Sequence, residues 1–452
     1  MVVRTAELKK LEQIASNSGD HLVLLYGTVY CGAKALLRQF VRDKECFYTA
    51  IRDVSCEEQK RQFMGDVMKR FSLDEVPSTY LDALSNMKST DGRLVVAIDD
   101  FQNSLKAGRQ LWDEIKKAKK EGLLSKDVFL IIIINELSHL TKDADNYLPD
   151  PEHLIEERIG LLNVPFLDIV RAFPEYSVKE AVETYGILGG NYDLIERWSR
   201  KRSVKENVIL TMLNSSGVLF DSAKTLLSSE LRELSVYQTL LLSIARGNEK
   251  LNDLFKDTGF SRAKIIVYLK NLEAFDIVEK IVSFDTGGWD NAKKGIYRIK
   301  NPYINFYFRF IYPNLSSLEM MEPEKFYDTY IEPGLDEYLR WTFIKVCDEY
   351  IAILNMMGKT PIHVSKTGIW LGKEGTIDVI GQDEVRNNIV AKTNYDKPEF
   401  PYSDYLKLVS NMEKARINAK AIYLFSATEF DIELQNLAKK DSSIVLVDMK
   451  EL

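Results

Sequence analysis

Two glycines with four residues between them, Gly27 and Gly32, directly follow an apolar segment and precede a helical pattern. This spacing is typical of a phosphate-binding loop, in which backbone N–H groups at a helix start point at the phosphates. Such a loop continues with a lysine, which neutralises phosphate oxygens, and a serine or threonine, which binds Mg²⁺. Here Gly32 is followed by Ala33, Lys34 and Ala35, so the lysine comes one position late and the hydroxyl is missing. The predicted nucleotide-binding residues are Gly27, Thr28, Gly32, Ala33, Lys34 and Ala35.

Polar residues also follow two other apolar segments. Asp99 and Asp100 come after residues 94–98, and Asn135 comes after residues 128–134. Two acids at the end of a buried strand can hold Mg²⁺ and polarise the water that attacks a terminal phosphate, which an amide on the next strand can sense. Asp99, Asp100 and Asn135 are therefore the predicted catalytic residues of an active ATPase, with ATP and Mg²⁺ as cofactors. Because Asp and Asn are also favoured helix caps, a purely structural role stays open, as does an ordinary strand–Gly–helix turn for the loop.

A different pattern follows in the middle of the chain. Three helical patterns between residues 236 and 273 precede two strand patterns, at residues 277–282 and 295–299. Three helices followed by a hairpin are typical of a winged helix, whose third helix reaches base edges with its N-terminal residues. Such modules also contact proteins, and acidic residues lie nearby, so that alternative stays open. The DNA-binding candidates are Ser261, Arg262, Lys264 and Lys270, with Lys280, Lys293, Lys294 and Arg298 in or beside the wing.

The elements that position these residues follow from hydrophobic patterns. Strand patterns at residues 21–26, 45–49, 94–98 and 128–134 alternate with helical ones, and the most apolar of them have no polar face. This indicates a parallel sheet that is covered on both sides by helices. Residues 151–230 are predicted to be helical. The last part of the chain mixes helices with strands, predicted at residues 376–380, 388–391, 421–425 and 443–447.

Length and composition limit the function classes. A chain of 452 residues exceeds one ordinary core, so several domains are expected. A net charge of −7 argues against general nucleic-acid coating, although a local basic patch is compatible with it. No apolar run reaches the roughly 18–20 residues of a spanning helix, and the first residues do not have a signal-peptide pattern. The four cysteines do not have metal-site spacing, so we expect a reduced, cytoplasmic protein. From the lack of a long apolar run we also expect no contact with membranes.

Short motifs occur in a constant order along nearly the whole chain. They are Arg4–Leu8, similar to R-x-x-E-L; Asp99–Gln102, similar to D-E-F-Q; Tyr185–Gly190, similar to Y-x-I-L-G-G; Tyr297–Pro302 and Phe306–Pro313, similar to Y-R-I-x-D-P and F-W-F-R-F…P; Gly368–Gly372, similar to G-x-W-W-G; and Leu424–Ser426, similar to L-F-S. In their order, these motifs resemble those of a bacterial and archaeal ATPase family with an AAA-like domain, a winged helix and a C-terminal restriction-endonuclease-like domain.

The resemblance implies that catalytic positions are altered. The loop lysine of the family falls on Ala33 and its hydroxyl residue falls on Lys34, so we expect hydrolysis to be slow or absent. A nuclease of this type needs an acid on one strand and E-x-K on the next. Asp378 keeps the acid, whereas Lys392 falls on the glutamate and Asn394 on the lysine. Asp378 and Lys392 are therefore predicted to be remnants of a nuclease site, without nuclease activity and without a predicted metal site.

The predicted fold class is α/β and multidomain. We expect a P-loop NTPase-like (AAA-like) domain with a parallel sheet at residues 1–150, a helical lid at 151–230, a winged helix at 231–315 and a degenerate restriction-endonuclease-like α/β domain at 316–452. The leading hypothesis is an ATPase-family nucleotide-binding protein with a regulatory or scaffold role, weak or no hydrolysis, and a protein partner. One alternative is an active ATPase that uses Lys34, and another is a DNA-binding regulator that acts through the winged helix.

Overall fold

The computed structural model describes residues 4–28, 31–89, 92–136, 146–161, 163–284, 295–373 and 375–452. Contacts between residues divide the chain into two compact units. The first contains residues up to 164 together with 191–193, and the second contains residues 165–190 and 194–452. Within the described ranges, no helix has both the length and the apolar character needed to cross a membrane.

The first unit is built around a five-stranded, fully parallel sheet with the strand order β2-β3-β4-β1-β5. Its strands are β1 His21–Gly27, β2 Glu45–Ala50, β3 Leu94–Asp99, β4 Val128–Ile134 and β5 Glu157–Leu161. Its helices are α1 Thr5–Ala15, α2 Ala33–Phe40, α3 Cys56–Phe71, α4 Tyr80–Ser85, α5 Gln102–Lys106 and α6 Gln110–Lys120. Strand β5 corrects the expectation that residues 151–230 are helical throughout. The sheet makes this unit α/β and is consistent with a P-loop NTPase fold.

The central strands are buried on both faces because helices cover the sheet on both sides. Leu22 and Leu24 of β1 belong to one hydrophobic cluster, whereas Val23 and Leu25 belong to the other. Every residue of β4 is buried, as its continuous apolar sequence predicts. Since β4 lies between β1 and β3, the carboxyl ends of these three strands meet at one edge of the sheet. That edge carries the glycine loop, Asp99 and Asn135.

The second unit begins with helices. They are α7 Phe166–Ala172, α8 Val178–Leu188, α9 Tyr192–Glu196, of which the first two residues belong to the first unit, α10 Val204–Val208 and α11 Ser222–Glu230, with a π-helical turn at Ile209–Leu213. Next come α12 Leu234–Ala245, α13 Leu251–Thr258, α14 Arg262–Ala274 and the antiparallel strands β6 Val278–Ile281 and β7 Ile296–Ile299. These helices and strands occur where the sequence predicted them, while the expected hairpin turn at residues 285–289 lies outside the described residues.

The rest of the second unit starts with α15 Pro302–Phe306, a π-helical turn at Tyr307–Ile311 and a 3₁₀ turn at Tyr312–Asn314. Then follow α16 Leu315–Met320, α17 Pro323–Phe326, a π-helical turn at Tyr327–Ile331 and α18 Glu332–Met356. The last elements are β8 Lys366–Leu371, β9 Thr376–Gln382, β10 Asn388–Asn394, β11 Glu399–Phe400, α19 Tyr402–Ala415, β12 Ala419–Ser426, β13 Glu429–Phe430, α20 Ile432–Lys440, β14 Ile444–Asp448 and a 3₁₀ turn at Met449–Glu451.

A second five-stranded sheet has the order β14-β12-β10-β9-β8 and is mixed. Strands β14, β12 and β10 run parallel, whereas β9 runs antiparallel to both β10 and β8. Val379 on β9 pairs with Ala391 on β10. This register brings their neighbours Asp378 and Lys392 together on adjacent strands.

Candidate functional site

The glycine loop connects the end of β1 to the start of α2, and both glycines are required by close packing. Gly32 has a φ of +83°, and a Cβ atom there would lie 2.5 Å from the ring of Tyr192. A Cβ atom on Gly27 would lie 2.8 Å from the Cβ atom of Cys31. Val29 and Tyr30 are not among the described residues. The loop therefore needs its two glycines for shape alone, whatever it binds.

Cys31 fixes the second half of the loop. Its backbone N–H donates to the carbonyl of Thr28 at 3.1 Å, and its own carbonyl accepts from Nε of the buried Arg4 at 2.8 Å. Burial raises the pKa of the Cys31 thiol to about 11, although the backbone N–H of Ala33 donates to it. The thiol therefore stays protonated at neutral pH. The sequence marks Arg4 only as part of a motif and does not predict its hydrogen bond to the loop.

Lys34 approaches the buried Asp99 from the first turn of α2. Lys34 Nζ lies 3.2 Å from Asp99 Oδ2, and the Lys34 side chain is 56% exposed while that of Asp99 is fully buried. The hydroxyl of Tyr48 donates to the same oxygen at 2.7 Å. The other oxygen, Oδ1, accepts from the backbone N–H of Asp100 at 2.8 Å and from Asn135 Nδ2 at 3.0 Å. Three hydrogen bonds and one ammonium thus compensate a carboxylate that burial alone would strongly disfavour.

Tyr48 is the part of this site that the sequence analysis missed. It lies near the end of β2, and burial together with its hydrogen bond to Asp99 raises the pKa of its hydroxyl. The hydroxyl therefore remains a proton donor to Asp99 across the physiological range. Because Tyr48 falls in a predicted strand that ends at the same sheet edge, the topology was the signal that could have found it.

Asp100 is held by amides. Its backbone has a φ of 51°, in the left-handed region, and its Oδ1 accepts from Asn135 Nδ2 at 2.9 Å and from Gln102 Nε2 at 3.1 Å. The backbone N–H of Asn135 in turn donates to Gln102 Oε1 at 3.2 Å. The structure therefore brings Lys34, Asp99, Asp100 and Asn135 together. Ala33 and Ala35 offer only backbone groups there.

The DNA-binding candidates at the start of α14 are exposed, and local contacts hold their side chains in place. Ser261 caps the helix by accepting from the backbone N–H of Lys264 at 3.3 Å. The Arg262 guanidinium stacks 4.2 Å from the ring centre of Phe255 and donates to Asn252 at 2.6 Å. Lys264 Nζ lies 4.5 Å from the ring centre of Phe260. These contacts hold two cations at the surface of the helix start.

The other basic candidates differ in their surroundings. Lys270 is exposed on the same helix. Arg298 pairs with Glu249 at 2.8 Å and stacks 4.1 Å from the ring centre of Trp341, and its contact with phosphates beside the wing stays a prediction. Lys293 and Lys294 lie outside the described residues.

Asp378 in the second unit is also buried and fully engaged. Its Oδ1 accepts from Lys392 Nζ at 2.8 Å and from the Thr376 hydroxyl at 2.7 Å. Its Oδ2 accepts from the backbone N–H and from the hydroxyl of Thr393, both at 3.0 Å. Over the part of the chain that the structure describes, no group of three His, Cys, Asp or Glu side chains is arranged to hold a metal ion. Lys392 thus supplies the positive charge beside Asp378.

Comparison with known proteins gives one family match and one curated relative. A model of the DUF234 family, described as archaeal and bacterial proteins of unknown function, matches residues 307–397. An uncharacterised protein of Methanocaldococcus jannaschii is 26% identical over 393 residues, which cover 85% of this chain and 84% of that protein.

Among solved structures, the chain resembles nucleotide-binding proteins only distantly. A Walker-type ATPase of Pyrococcus abyssi has a TM-score of 0.48 and 16% identity, covering 68% of this chain and 96% of that one. The ORC2 protein of Aeropyrum pernix, solved in ADPNP–ADP complexes, has a TM-score of 0.44 and 12% identity, covering 71% and 95%. Since both TM-scores lie below 0.5, neither likeness assigns a function to this chain.

Proposed function

We propose that this protein is an ATPase-family nucleotide-binding protein that holds nucleotide phosphates with little or no hydrolysis and without needing Mg²⁺. The ion pair between Lys34 and the buried Asp99 carries this proposal. In an active site of this class, Mg²⁺ near such an acid neutralises charge that develops on the phosphates. Here the Lys34 ammonium already lies beside Asp99. The chain neighbours of Lys34 are Ala33 and Ala35, which have no hydroxyl to bind a metal.

Phosphate binding would rely on α2. The first N–H groups of a helix have no partners within the helix, and they favour an anion at its N-terminus. Helix α2 begins at Ala33, immediately after Gly32 and directly at the loop. Because the Lys34 side chain is half exposed, rotation about its side-chain bonds can carry Nζ from Asp99 to a phosphate oxygen. Tyr48, Asn135 and the N–H of Asp100 would still satisfy Asp99 after that movement.

Weak hydrolysis follows from the same arrangement. Losing one preorganised group that stabilises transition-state charge costs about 10²–10³ in rate. This chain has no serine or threonine directly after Lys34, and Lys34 itself pairs with Asp99. Asp100, which would orient the attacking water, already accepts from Asn135 and Gln102. Binding of the nucleotide, and not its hydrolysis, would then change the conformational state of the protein. This suits a regulatory or scaffold role.

Calorimetric titration of the full chain with a slowly hydrolysed ATP analogue, in Mg²⁺ and in EDTA, tests the proposal. We expect dissociation constants that agree within about threefold in the two conditions. Lys34→Ala should weaken binding about tenfold, as expected for one charge-assisted contact. Lys9→Ala, which removes an exposed lysine of α1, is the matched control and should leave binding unchanged. Mg²⁺-dependent binding with turnover would instead establish an active ATPase, and no binding at millimolar analogue would exclude a nucleotide role.

DNA contact is a second candidate function, favoured by Arg262 and Lys264 at the start of α14. Helices α12, α13 and α14 with strands β6 and β7 support a winged helix, in which that helix start faces the major groove. Aromatic rings hold both cations at the exposed surface, which lowers the entropy lost on binding. DNA binding by the full chain should weaken with salt and with Arg262→Ala or Lys264→Ala, but not with Lys256→Ala on α13. DNA affinity that is independent of salt and unchanged by these substitutions would exclude this function.

A further inference from the structure

A cavity of about 390 Å³ lies in the second unit beside Asp378. This volume falls within the roughly 300–1,000 Å³ that is usual for small-molecule sites. All of its lining residues belong to the second unit, whereas the glycine loop belongs to the first. The cavity is therefore a second candidate binding site on the same chain.

Positive charge exceeds negative charge around this cavity. Its charged lining side chains are Arg298, Arg340, Lys392, Lys397 and Lys407 against Asp378, Asp396 and Asp404. Glu249, outside the lining, pairs with Arg298. Among these nine side chains, five cations stand against four acids, which leaves an excess of one positive charge.

The excess is located at Asp404, which two lysines share. Lys397 and Lys407 both donate to the Asp404 carboxylate, Lys407 at 3.0 Å. Although burial acts in the opposite direction, these two lysines hold the pKa of Asp404 below its usual value, so Asp404 is ionised at neutral pH. Each ammonium has three N–H donors, so both lysines keep donors for an incoming anion.

The rest of the lining combines apolar side chains with five uncharged polar ones, Thr376, Thr393, Asn394, Tyr395 and Asn411. Ile296, Ile344, Ile369, Leu371 and Leu408 line the cavity together with Trp341. The indole N–H of Trp341 is buried and has no acceptor among the described residues. A buried donor without a partner is costly and is frequently explained by a missing ligand or water. An anion with an apolar body would supply both an acceptor and a surface for the aliphatic side chains.

A metal ion is not needed to hold such an anion. Asp378, the lining acid with the least exposure, already accepts from Lys392, Thr376 and Thr393. From these features we infer that the cavity binds a phosphomonoester carried on an apolar or aromatic body, such as a nucleoside monophosphate, without a divalent cation. A phosphomonoester fits because its three terminal oxygens can accept from several cationic donors at once. A free nucleotide and the 5′-phosphorylated end of a nucleic-acid strand share this chemistry.

The test is calorimetric titration of the full chain in EDTA with adenosine 5′-monophosphate, with adenosine, and with a tetranucleotide carrying or lacking a 5′-phosphate. We expect the monophosphate to bind with a dissociation constant below about 1 mM and adenosine not to bind. Tighter binding of the phosphorylated tetranucleotide than of the free monophosphate would identify a strand end as the source of the phosphate. The reverse order would identify the free nucleotide. Absence of binding by every phosphorylated probe at about 5 mM would overturn the inference.

Variants locate the ligand and separate this site from the glycine loop. Lys407→Gln changes a side chain that is 70% exposed and should not affect folding, and together with Lys397→Gln it should weaken binding at least tenfold. Lys440→Gln, at the exposed end of α20, is the control and should have no effect. Lys34→Ala weakens the proposed loop site, so monophosphate binding that persists in this variant is binding to the cavity. If Lys34→Ala abolished it while the Lys397 and Lys407 variants did not, the ligand would lie at the loop and the inference would be wrong. A tenfold gain in affinity on adding Mg²⁺ would also overturn it.

Discussion

Asp99 in the first unit and Asp378 in the second unit are both buried carboxylates that face a lysine from a neighbouring element. Asp99 receives three hydrogen bonds besides the ammonium of Lys34, and Asp378 receives three besides that of Lys392. The two pairs differ in solvent access. The Lys34 side chain is 56% exposed at 3.2 Å, whereas that of Lys392 is 23% exposed at 2.8 Å and also donates to Thr376. A screened ion pair is easily broken, while a sequestered one acts as a structural element.

This difference in solvent exposure indicates that the two lysine–aspartate pairs have different roles. Lys34 can leave Asp99 for a phosphate at little cost, which is what a ligand-responsive site requires. Lys392 is held by two acceptors on one side of the mixed sheet, so leaving Asp378 would strand a buried charge. The second pair therefore stabilises the fold, and the adjacent cavity offers other cations to a ligand.

Lys392→Ala should have the largest effect. It removes the partner of a nearly fully buried carboxylate, which typically costs about 3–5 kcal/mol, and the three remaining donors place this variant near the lower limit of about 3 kcal/mol. Urea denaturation monitored by tryptophan fluorescence measures the change. Adding Asp378→Asn to Lys392→Ala should recover part of the loss because the uncompensated charge is gone. A single variant as stable as the parent chain would remove the structural role assigned to this pair.

Glu183 on α8 tests whether the hydrogen-bond donors around the two aspartates stabilise their charge, because it is a partly buried acid with a different environment. Its side chain is 16% exposed and lies 4.0 Å from Lys179. Burial raises the pKa of Glu183 to about 7. Since the folded-state pKa lies above the unfolded value of about 4.5, its contribution to stability is complete below pH 4.5 and is lost as pH rises to 7.

Glu183→Gln should therefore gain stability relative to the parent chain as pH rises, by about 2 kcal/mol at pH 8. The measurement is urea denaturation of both proteins between pH 5 and pH 8. Glu180→Gln changes another acid of the same helix and keeps a side chain that can complete the capping box, so its stability should not vary in the same direction with pH. If the stability difference between the parent chain and the Glu183→Gln variant stayed constant over this range, Glu183 would be ionised throughout.

The contrast between the two units also shows what the sequence could specify. The apolar segments before Asp99 and Asn135 predicted strands, and parallel strands necessarily bring their carboxyl ends together. The family resemblance placed Asp378 and Lys392 on neighbouring strands, and the antiparallel pairing of β9 with β10 brings them together. Strand β5 was missed because Glu157–Leu161 is short and half polar, so its place in the sheet depends on pairing with β1.

Contacts between residues far apart in the sequence are not specified by any local pattern. The hydrogen bond from Tyr48 to Asp99 joins residues 51 positions apart, and the bond from Arg4 to the Cys31 carbonyl joins residues 27 apart. No periodicity encodes such a pair. The loop spacing gave the position of Lys34 in the chain, but its direction toward Asp99 depends on the folded path of the loop.

Tyr48→Phe should have an intermediate effect on stability. It tests how much the tyrosine hydroxyl contributes, among the donors to Asp99. Losing this hydrogen bond to a charged acceptor should cost about 1.5 kcal/mol, at the low end of the usual range because Tyr48 is partly exposed. Of the two donors that the structure places at Oδ2, only Lys34 would then remain, and it would leave that oxygen less readily. We therefore expect weaker binding of the ATP analogue, by about threefold, measured beside urea denaturation. Unchanged stability and affinity would show that the tyrosine hydroxyl is dispensable.

Lys34→Ala should have the smallest effect on stability, below about 1 kcal/mol, because a pair with one exposed partner is screened by water. The same type of substitution at Lys392 is expected to cost several times more, although each lysine faces a buried aspartate with three other donors. Urea denaturation of both variants in low and high salt measures the comparison. The Lys34 contribution should shrink further in high salt, whereas that of Lys392 should persist because solvent ions reach it less easily. Equal losses would mean that exposure does not distinguish the pairs, and Lys34 would then be a structural residue rather than one free to reach a nucleotide.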